Sequence, residues 1–369
     1  MNFDLTDERQ MLQDGLRRFL GDAVTPAVLK QAAATETGAT PAVWAGLAEM
    51  GVIGALFTED DGGFGGAGFD LALVGEEMGR AGAVDPWIDT GVLGGGLVAA
   101  LGDRDQRATI AGVIAGTRHL ALAHGEPGSR HDLTRVATTA TPDHRLTGRK
   151  SVVVNGGLAE ALIVSARVRG DVADPDGIGL YLVDAAAVDR RVYPLLGGGH
   201  AAEVTLDDTP GVPLGQPGQA HDALVTAHAR AVCAISAEAL GLMEAMKGLT
   251  TGYLKTRRQF GQPIGKFQAL QHRMADMLIE IEQARSAVIN LAGHLEADSA
   301  VRDVHVAATK VMIGQVARLV VEETIQMHGG IGLTQEYGLA HLARRLAIVD
   351  QRFGDTLHHM GRFIALAVA

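Results

Sequence analysis

The chain has 369 residues, 47% of them hydrophobic and 20% charged, with a formal net charge of −11 at pH 7. A chain of this length usually needs more than one core, and the composition is typical of a globular protein, which excludes intrinsic disorder. The acidic balance argues against a nucleic-acid-binding surface, because contacts with phosphates need clustered cations.

The chain contains a single cysteine, Cys233, in a segment predicted to form an apolar helix. One cysteine excludes an intramolecular disulfide framework and a cysteine-based metal site, so a reducing, cytoplasmic compartment is expected. The acidic start of the chain does not resemble a signal peptide, and no apolar run approaches the roughly 18 residues of a membrane span. We therefore expect no contact with a membrane.

Helical periodicity dominates the first third of the chain. Thr6 has an N-cap side chain and precedes a helical pattern that runs to Leu20, and Pro41 opens a shorter helix that Gly51 ends. Further helices are predicted over 69–81, 85–101 and 105–115. These elements predict a helical N-terminal domain of residues 1–117.

The segment 58–68, between two of these helices, is rich in glycine. A Gly-rich loop before a helix can hold a phosphate through its backbone N–H groups. This loop has three acidic residues and no cation, and it does not follow the strand that a dinucleotide-binding motif requires. It is therefore not predicted to bind phosphate.

Short segments rich in Val, Leu and Thr, separated by turn residues, follow in the middle of the chain. Strands are predicted over 119–123, 135–141, 150–155, 161–167, 179–183 and 202–206. This spacing is typical of a small antiparallel barrel or sandwich, which would be a middle domain of residues 118–218.

Long helical patterns return in the last third. They cover 223–256, 267–296 and 300–328, with a shorter one over 336–349. Three neighbouring long helices should pack as an antiparallel bundle, which would be a C-terminal domain of residues 219–369. The predicted fold class is therefore α+β, mainly α, in the order helix, sheet, helix.

Two runs at the ends of these long helices are the most distinctive parts of the sequence. The first is Arg257-Arg-Gln-Phe-Gly-Gln-Pro-Ile-Gly-Lys-Phe-Gln268, and the second is Gln326-Met-His-Gly-Gly-Ile-Gly332. Glycine and proline end the helices, and a cation such as Arg257 complements the negative end of a helix dipole. Taken alone, each run is also typical of an ordinary helix C-terminus, the first followed by a Gly-Pro hairpin and the second by a Gly-Gly turn.

Together, the two runs closely resemble two signatures of the flavin-dependent acyl-CoA dehydrogenases, in the family's order and spacing. The resemblance covers nearly the whole chain and is greatest to small subunits of heteromeric members such as pimeloyl-CoA dehydrogenase. It implies an N-terminal helical domain, a middle β-domain and a C-terminal four-helix bundle. It also implies FAD as cofactor, oxidation of an acyl-CoA to the trans-2-enoyl-CoA, and an electron-transferring flavoprotein as acceptor.

The resemblance further implies that both runs contact the FAD of a neighbouring subunit, so a homo- or hetero-oligomer is expected. Arg257 would face the pyrophosphate and Phe260 would pack on the cofactor. The adenosine side would be lined by Gln259, Ile264, Phe267 and Gln268, and the adenine region would be approached by Gln326, Gly329, Gly330 and Gly332. Glycine suits a close backbone approach because it has no Cβ.

The predicted sheet carries two partial matches to the family, His124 to Arg130 and Lys150 to Gly156. In the second, Val152 replaces the usual tryptophan and Val154 replaces a hydroxyl residue that hydrogen-bonds the flavin edge in relatives. Val152 and Val154 are still predicted to contact the cofactor, but the missing hydroxyl would leave a flavin acceptor less well satisfied.

The catalytic base is where the chain departs furthest from the family. Removing an α-proton from a thioester requires a carboxylate of raised pKa in a water-poor pocket. The two positions at which relatives place this glutamate correspond here to Phe353 and Ala231. Asp355 is a candidate substitute, although an aspartate there is also a typical N-cap for a terminal helix.

No metal site is predicted, since the adjacent His358 and His359 lie on different faces of a helix. The resemblance favours an FAD-dependent acyl-CoA dehydrogenase, as one subunit of a heteromeric enzyme. The alternative is a catalytically silent structural subunit that completes the FAD site of a base-bearing partner chain. An unrelated helical binding module would not account for two ordered signatures.

Overall fold

The computed structural model describes residues 5–368. The chain divides into two compact units, one of Met1–Val28, Ala67–Ala83 and Val232–Ala369, and another of Leu29–Gly66 and Val84–Ala231. This division follows packing rather than chain order, so the three consecutive domains predicted from the sequence stay a prediction.

The first third is helical, as predicted. Its α-helices are α1 (Asp7–Ala23), α2 (Pro26–Ala33), α3 (Pro41–Glu49), α4 (Gly68–Ala81), α5 (Gly96–Leu101), α6 (Arg104–Ala108) and α7 (Ile110–Ile114). The N-cap predicted for the first helix is confirmed, because the Thr6 hydroxyl accepts the Arg9 N–H at 3.4 Å.

The helix predicted over 85–101 is wrong in its type over most of its length, because Trp87–Gly95 is a π-helix that leads into α5. The turns of this π-helix, which are wider than those of an α-helix, pack tightly against neighbouring residues. A Cβ on Gly94 would come within 2.6 Å of Leu120, and one on Gly95 within 2.4 Å of Phe57. The sequence pattern alone does not distinguish such a π-helix from an α-helix, since both bury an apolar face.

The long helices of the last third confirm the predicted bundle to within a few residues. They are α8 (His221–Thr256), α9 (Gln268–His294), α10 (Ser299–His328), α11 (Leu339–Val349) and α12 (Thr356–Val368). Helix α10 packs along α9, α11 and α12, and α4 packs against α1 and α9.

The middle of the chain forms one sheet, in which the edge strands are β6 and β8. Its strands are β1 (Leu120–Ala123), β2 (Thr139–Ala140), β3 (Arg145–Val154), β4 (Ala161–Arg167), β5 (Ile178–Asp184), β6 (Asp189–Pro194), β7 (His200–Pro210) and β8 (Val212–Leu214). Their order is β6-β7-β3-β2-β4-β5-β8, with β1 also paired to β4. Most pairs are antiparallel, as predicted, but β1 and β2 each pair with β4 in parallel.

The strand predicted over 135–141 shortens to two residues because a buried arginine holds the preceding segment. The Arg167 guanidinium donates to the carbonyl oxygens of Val136 at 3.0 Å and Thr134 at 2.8 Å. These carbonyls are therefore satisfied by a side chain rather than by a neighbouring strand.

Two helical stretches, His221–Thr256 and Ser299–Leu333, are long and apolar enough to cross a membrane by length and composition alone. Within the 18-residue windows that qualify, 78% and 50% of the residues are buried inside the protein. The prediction concerned uninterrupted apolar runs, whereas this result averages hydropathy over windows that admit charged residues. Core helices of a bundle pass the same test, so the result is weak evidence for a membrane span.

Candidate functional site

The run from Arg257 to Gln268 forms a tight β-hairpin between α8 and α9. Strands β9 (Arg258–Gln259) and β10 (Gln262–Pro263) pair antiparallel around Phe260 and Gly261. Both turn residues have positive φ, +49° and +78°, which is the geometry of a type I′ hairpin turn. Left-handed backbone is uncommon for a residue with a large side chain, so Phe260 is held in a strained and outward position.

The side chains of this hairpin present a polar and aromatic surface. Phe260 is 90% exposed and meets Phe267 edge to face at 5.9 Å. Gln259 and Gln268 are exposed, while Ile264 and Phe267 are half-buried. The Arg257 side chain is exposed and makes no hydrogen bond or ion pair with any residue that the structure describes. A guanidinium without an anionic partner beside exposed aromatic surface suits an anionic ligand that contains rings.

The second run ends α10 and turns the chain through a short 3₁₀ helix, Gly329–Leu333. Gln326, Gly329 and Gly330 are exposed, and a Cβ on either of these glycines would meet nothing within 4 Å. Gly332 differs, because it is buried and its Cβ would lie 3.0 Å from the Cβ of His328. The exposed part of the turn leaves backbone open to a ligand, whereas Gly332 is needed for packing.

A buried histidine links this turn to the end of α8, and the sequence did not single it out. The His328 ring stacks on Tyr253 at 4.6 Å and lies 5.2 Å from the ring of Tyr337. Tyr253 is four residues before Arg257, and its carbonyl accepts the Arg257 N–H at 2.8 Å. The two distinctive runs are therefore connected through one aromatic cluster. The only sequence signal for it is the position of His328 directly before Gly329.

In the other unit, Val152 lies in a β-bulge of β3, and Val154 follows it at the end of the strand. The register against β7 shifts between Lys150 and Val153, and Val152 has a φ of +54° and is 56% exposed. A β-branched residue with positive φ is strained. The bulge is held by Glu203, whose carboxylate accepts the Val152 N–H at 3.2 Å. Glu203 was not predicted from the sequence, because the two residues are far apart in the chain.

The strand that carries this bulge is anchored by a buried ion pair. The Lys150 ammonium lies 2.6 Å from the Glu126 carboxylate and 2.9 Å from the Ser165 hydroxyl. Burial lowers the pKa of Lys150 to about 8. Burial alone would raise the pKa of Glu126, but Lys150 and hydrogen bonds from Thr138 and Ala137 hold it below its ordinary value. This carboxylate is therefore an ion-pair partner and not a free base.

Neither of the two positions predicted from the sequence to correspond to the family's glutamate holds an acid. Ala231 is completely buried within α8. Phe353 has a φ of +58°, its ring lies 4.8 Å from the Arg352 guanidinium, and its carbonyl lies 2.8 Å from His359 Nε2. The substitute, Asp355, accepts the His358 N–H at 2.8 Å, which is the N-cap contact of α12. The structure thus gives Asp355 the helix-capping role that the sequence left as an alternative.

The segment around Phe353 is fixed by a second buried lysine. The Lys310 ammonium donates to the carbonyl oxygens of Val349 and Asp350, both at 3.1 Å, and of Gly354 at 2.7 Å. Burial lowers the pKa of Lys310 to about 8. An ammonium that binds three carbonyls holds the backbone on both sides of Phe353.

Comparisons with known proteins agree with this geometry. The family model for the acyl-CoA dehydrogenase N-terminal domain matches residues 6–117, and that for the C-terminal domain matches residues 224–356. The chain belongs to the acyl-CoA dehydrogenase family. The match confirms the predicted resemblance and fold class and, at the level of the family, FAD-dependent acyl-CoA dehydrogenation.

Individual members of the family are similar over almost the full length. The probable acyl-CoA dehydrogenase YngJ of Bacillus subtilis is 28% identical over 95% of this chain and 95% of its own. The acyl-CoA dehydrogenase IpdE2 of Mycobacterium tuberculosis is 30% identical over 90% of this chain and 89% of its own. Among solved structures, a variant of the Tcur3481–Tcur3483 steroid ACAD is 31% identical with a TM-score of 0.88, covering 98% of both chains.

The residues of the two helical runs fit the cofactor of an acyl-CoA dehydrogenase. The Arg257 guanidinium, which has no partner in the described part of the chain, suits a pyrophosphate, and the open backbone at Gly329 and Gly330 can be approached closely by a flat ring. The fit on the sheet is partial, because the Val154 side chain has no polar atom to offer the flavin edge. Hydrogen bonding at that edge must come from other groups, such as backbone N–H donors.

Proposed function

We propose that this chain is one subunit of a heteromeric acyl-CoA dehydrogenase and that it completes the FAD site of a partner chain carrying the catalytic glutamate. One observation carries the proposal: Phe353 and Ala231 stand where the family places its base, and the nearby Asp355 caps a helix. The proposed substrate is an acyl-CoA, and the proposed electron acceptor is an electron-transferring flavoprotein.

The capping contact argues against Asp355 as a relocated base. Taking a proton from a substrate would neutralise the carboxylate and so weaken the bond that its Oδ1 accepts from the His358 N–H, 2.8 Å away. An N-cap contact of this kind contributes about 1 kcal/mol to helix stability. The loss would fall on α12, whose first turn is tied to the preceding segment by Asp350, which accepts the Thr356 N–H at 3.0 Å.

In this proposal the chain's own residues bind and orient the cofactor. Arg257 neutralises the pyrophosphate, Phe260 covers the cofactor, and the turn at Gly329 and Gly330 lies against the adenine region. Bound FAD would supply the acceptor for the hydride that leaves Cβ of the acyl-CoA. The α-proton must leave at the same time, and this chain offers no carboxylate for it at either family position.

A heteromer is favoured over a homomer by one of the similar proteins. The name of the Tcur3481–Tcur3483 steroid ACAD joins two designations, and that protein is 31% identical over 98% of this chain. Its name is also the reason to include a steroid-derived acyl-CoA among the substrates tested. The competing function is a homomeric dehydrogenase that uses Asp355.

Anaerobic titration of the flavin-loaded chain with acyl-CoAs tests the proposal. The panel should contain simple, dicarboxylic and steroid-derived thioesters, with flavin bleaching as the signal. We expect the chain alone to bleach at least about a hundredfold more slowly than a mixture with a base-bearing partner subunit, because general-base catalysis contributes about 10² to 10⁴ in rate.

The variant Asp355→Asn separates the two functions, because asparagine caps a helix about as well as aspartate but cannot act as a base. We expect it to leave the turnover of the mixture unchanged. Bleaching by the homogeneous chain that Asp355→Asn abolishes, at unchanged flavin content, would overturn the proposal in favour of a relocated base.

A further inference from the structure

The two cofactor-binding runs come from the ends of different helices, so something must fix one relative to the other. The first follows α8 and the second follows α10. His328, which is 4% exposed, joins these ends, because its ring stacks on Tyr253 near the end of α8. A buried histidine among aromatic rings at this place is unused by the proposed chemistry.

The hydrogen bonds of His328 determine its tautomer. Nδ1 lies 2.8 Å from the Thr324 carbonyl oxygen, which can only accept, so Nδ1 carries the proton. Nε2 then has a lone pair and accepts from the Tyr337 hydroxyl at 3.2 Å. Burial lowers the pKa of His328, although the backbone carbonyls of Thr324 and Leu249 oppose that shift. A neutral ring in this tautomer satisfies both nitrogens at once.

On one side, the position of the His328 ring constrains the hairpin. His328 stacks on Tyr253 at 4.6 Å with an interplanar angle of 24°. The Tyr253 carbonyl accepts the Arg257 N–H at 2.8 Å, and the Arg257 carbonyl accepts the Ile264 N–H at the same distance. A shift of Tyr253 would therefore move both ends of the hairpin.

On the other side, His328 holds the Gly-rich turn. It directly precedes Gly329, whose φ is +64°. The turn folds back so closely that a Cβ on Gly332 would lie 3.0 Å from the Cβ of His328. Tyr337, just beyond the turn, is tied to the same ring by its hydroxyl.

We propose that His328 is a positioning residue that locks the Arg257–Gln268 hairpin and the Gly329–Leu333 turn into one surface for FAD. The inference rests on the proposed function of these two runs as cofactor-binding segments. His328 is not expected to touch the cofactor, because it is buried and both of its ring nitrogens are occupied within this chain.

Two variants test the positioning role by removing different numbers of contacts to His328. His328→Phe keeps a ring for the stack on Tyr253 but removes both hydrogen bonds, and Tyr337→Phe removes only one oxygen atom. The control is His305→Phe, which replaces a histidine of the same helix that also stacks on another ring, His294, at 4.0 Å. At about 1.5 Å of rise per residue, this control lies about 35 Å away along α10.

The first measurement is hydrogen exchange on the flavin-free protein, which does not depend on cofactor binding. We expect amides of both 257–268 and 329–338 to exchange faster in His328→Phe and, to a smaller extent, in Tyr337→Phe. The His305→Phe control should leave both segments unchanged. Faster exchange in only one segment, or in neither, would overturn the lock.

The second measurement is FAD affinity in the oligomer that retains the flavin. We expect the dissociation constant to rise about tenfold in His328→Phe and severalfold in Tyr337→Phe, with thermal stability no lower than in the control.

If Arg257→Ala weakens FAD binding but His328→Phe and Tyr337→Phe do not, the lock is wrong and the proposed function stands. If exchange rises in both segments while neither Arg257→Ala nor His328→Phe changes FAD affinity, the lock is supported and the proposed function fails. Should His328→Phe not fold, Tyr337→Phe alone decides.

Discussion

Arg257 and Asp355 show how far single residues can be interpreted from the sequence. Both are polar side chains at the ends of helices, where ordinary capping is the commonest role. The structure leaves the Arg257 side chain exposed without an ion pair among residues 5–368, whereas the Asp355 carboxylate is engaged by the His358 N–H. The two side chains thus differ in whether this chain supplies a hydrogen-bond partner, which favours a ligand-binding role for Arg257 and not for Asp355.

Replacing Arg257 by alanine should weaken FAD binding about ten- to hundredfold. A charge-assisted hydrogen bond contributes about 1.5 to 3 kcal/mol, which corresponds to that range in the dissociation constant. Flavin retained after dialysis is the measurement. Arg318→Ala is a matched control for the loss of charge, because Arg318 is an exposed arginine that pairs with Glu322 on its own helix. Equal flavin content in Arg257→Ala and the parent protein would contradict the proposed contact.

At the scale of elements, helices α4 and α8 pack with their backbones in close approach. A Cβ on Gly241 would lie 1.9 Å from the Glu76 carbonyl oxygen, and one on Gly79 would lie 1.9 Å from the Glu238 carbonyl oxygen. Each glycine therefore allows the facing helix to approach where an alanine would not. This contact sets the distance between the two helices within their unit.

Gly241→Ala should destabilise the protein by about 1 to 3 kcal/mol or more, because the methyl group overlaps backbone that cannot rotate away. Gly248→Ala on the same helix is the matched control, since a Cβ there would meet nothing within 4 Å. Alanine favours a helix by about 1 kcal/mol over glycine, so the control should be neutral or stabilising. Chemical denaturation of the two variants gives their free energies of unfolding. Equal values would show that the two helices can move apart without a loss of stability.

The strands also show why some elements escape prediction. Strand β6 was missed because it is an edge strand, largely exposed, and its charged residues hide the alternation that marks a half-buried strand. Strand β4 was predicted with its observed bounds, because all seven of its residues are buried and the strand begins with an uninterrupted apolar run, residues 161–164.

At the scale of the whole molecule, the proposed site requires a second subunit. The two runs present exposed surface, with open glycines and with a guanidinium that has no partner among residues 5–368, which suits a contact with another chain's cofactor. Size-exclusion chromatography with flavin absorbance should find FAD only in dimers or larger species. A monomer that retains stoichiometric FAD would show that the runs serve their own chain or none.

The sequence by itself determined the helix, sheet, helix order of the chain, the bounds of α8 to α10 to within a few residues and the two distinctive runs. These follow from periodicity and from residue types at fixed spacing, which are local properties of the chain. Family membership followed from the same runs, because a motif is a local pattern.

Only the tertiary structure decided features that depend on residues far apart in sequence. Glu203 holds the bulge at Val152, the parallel pairing joins β1 to β4, and His328 brings Tyr253 and Tyr337 together. Long-range contacts of this kind are set by packing, which constrains partners without leaving a pattern in neighbouring residues.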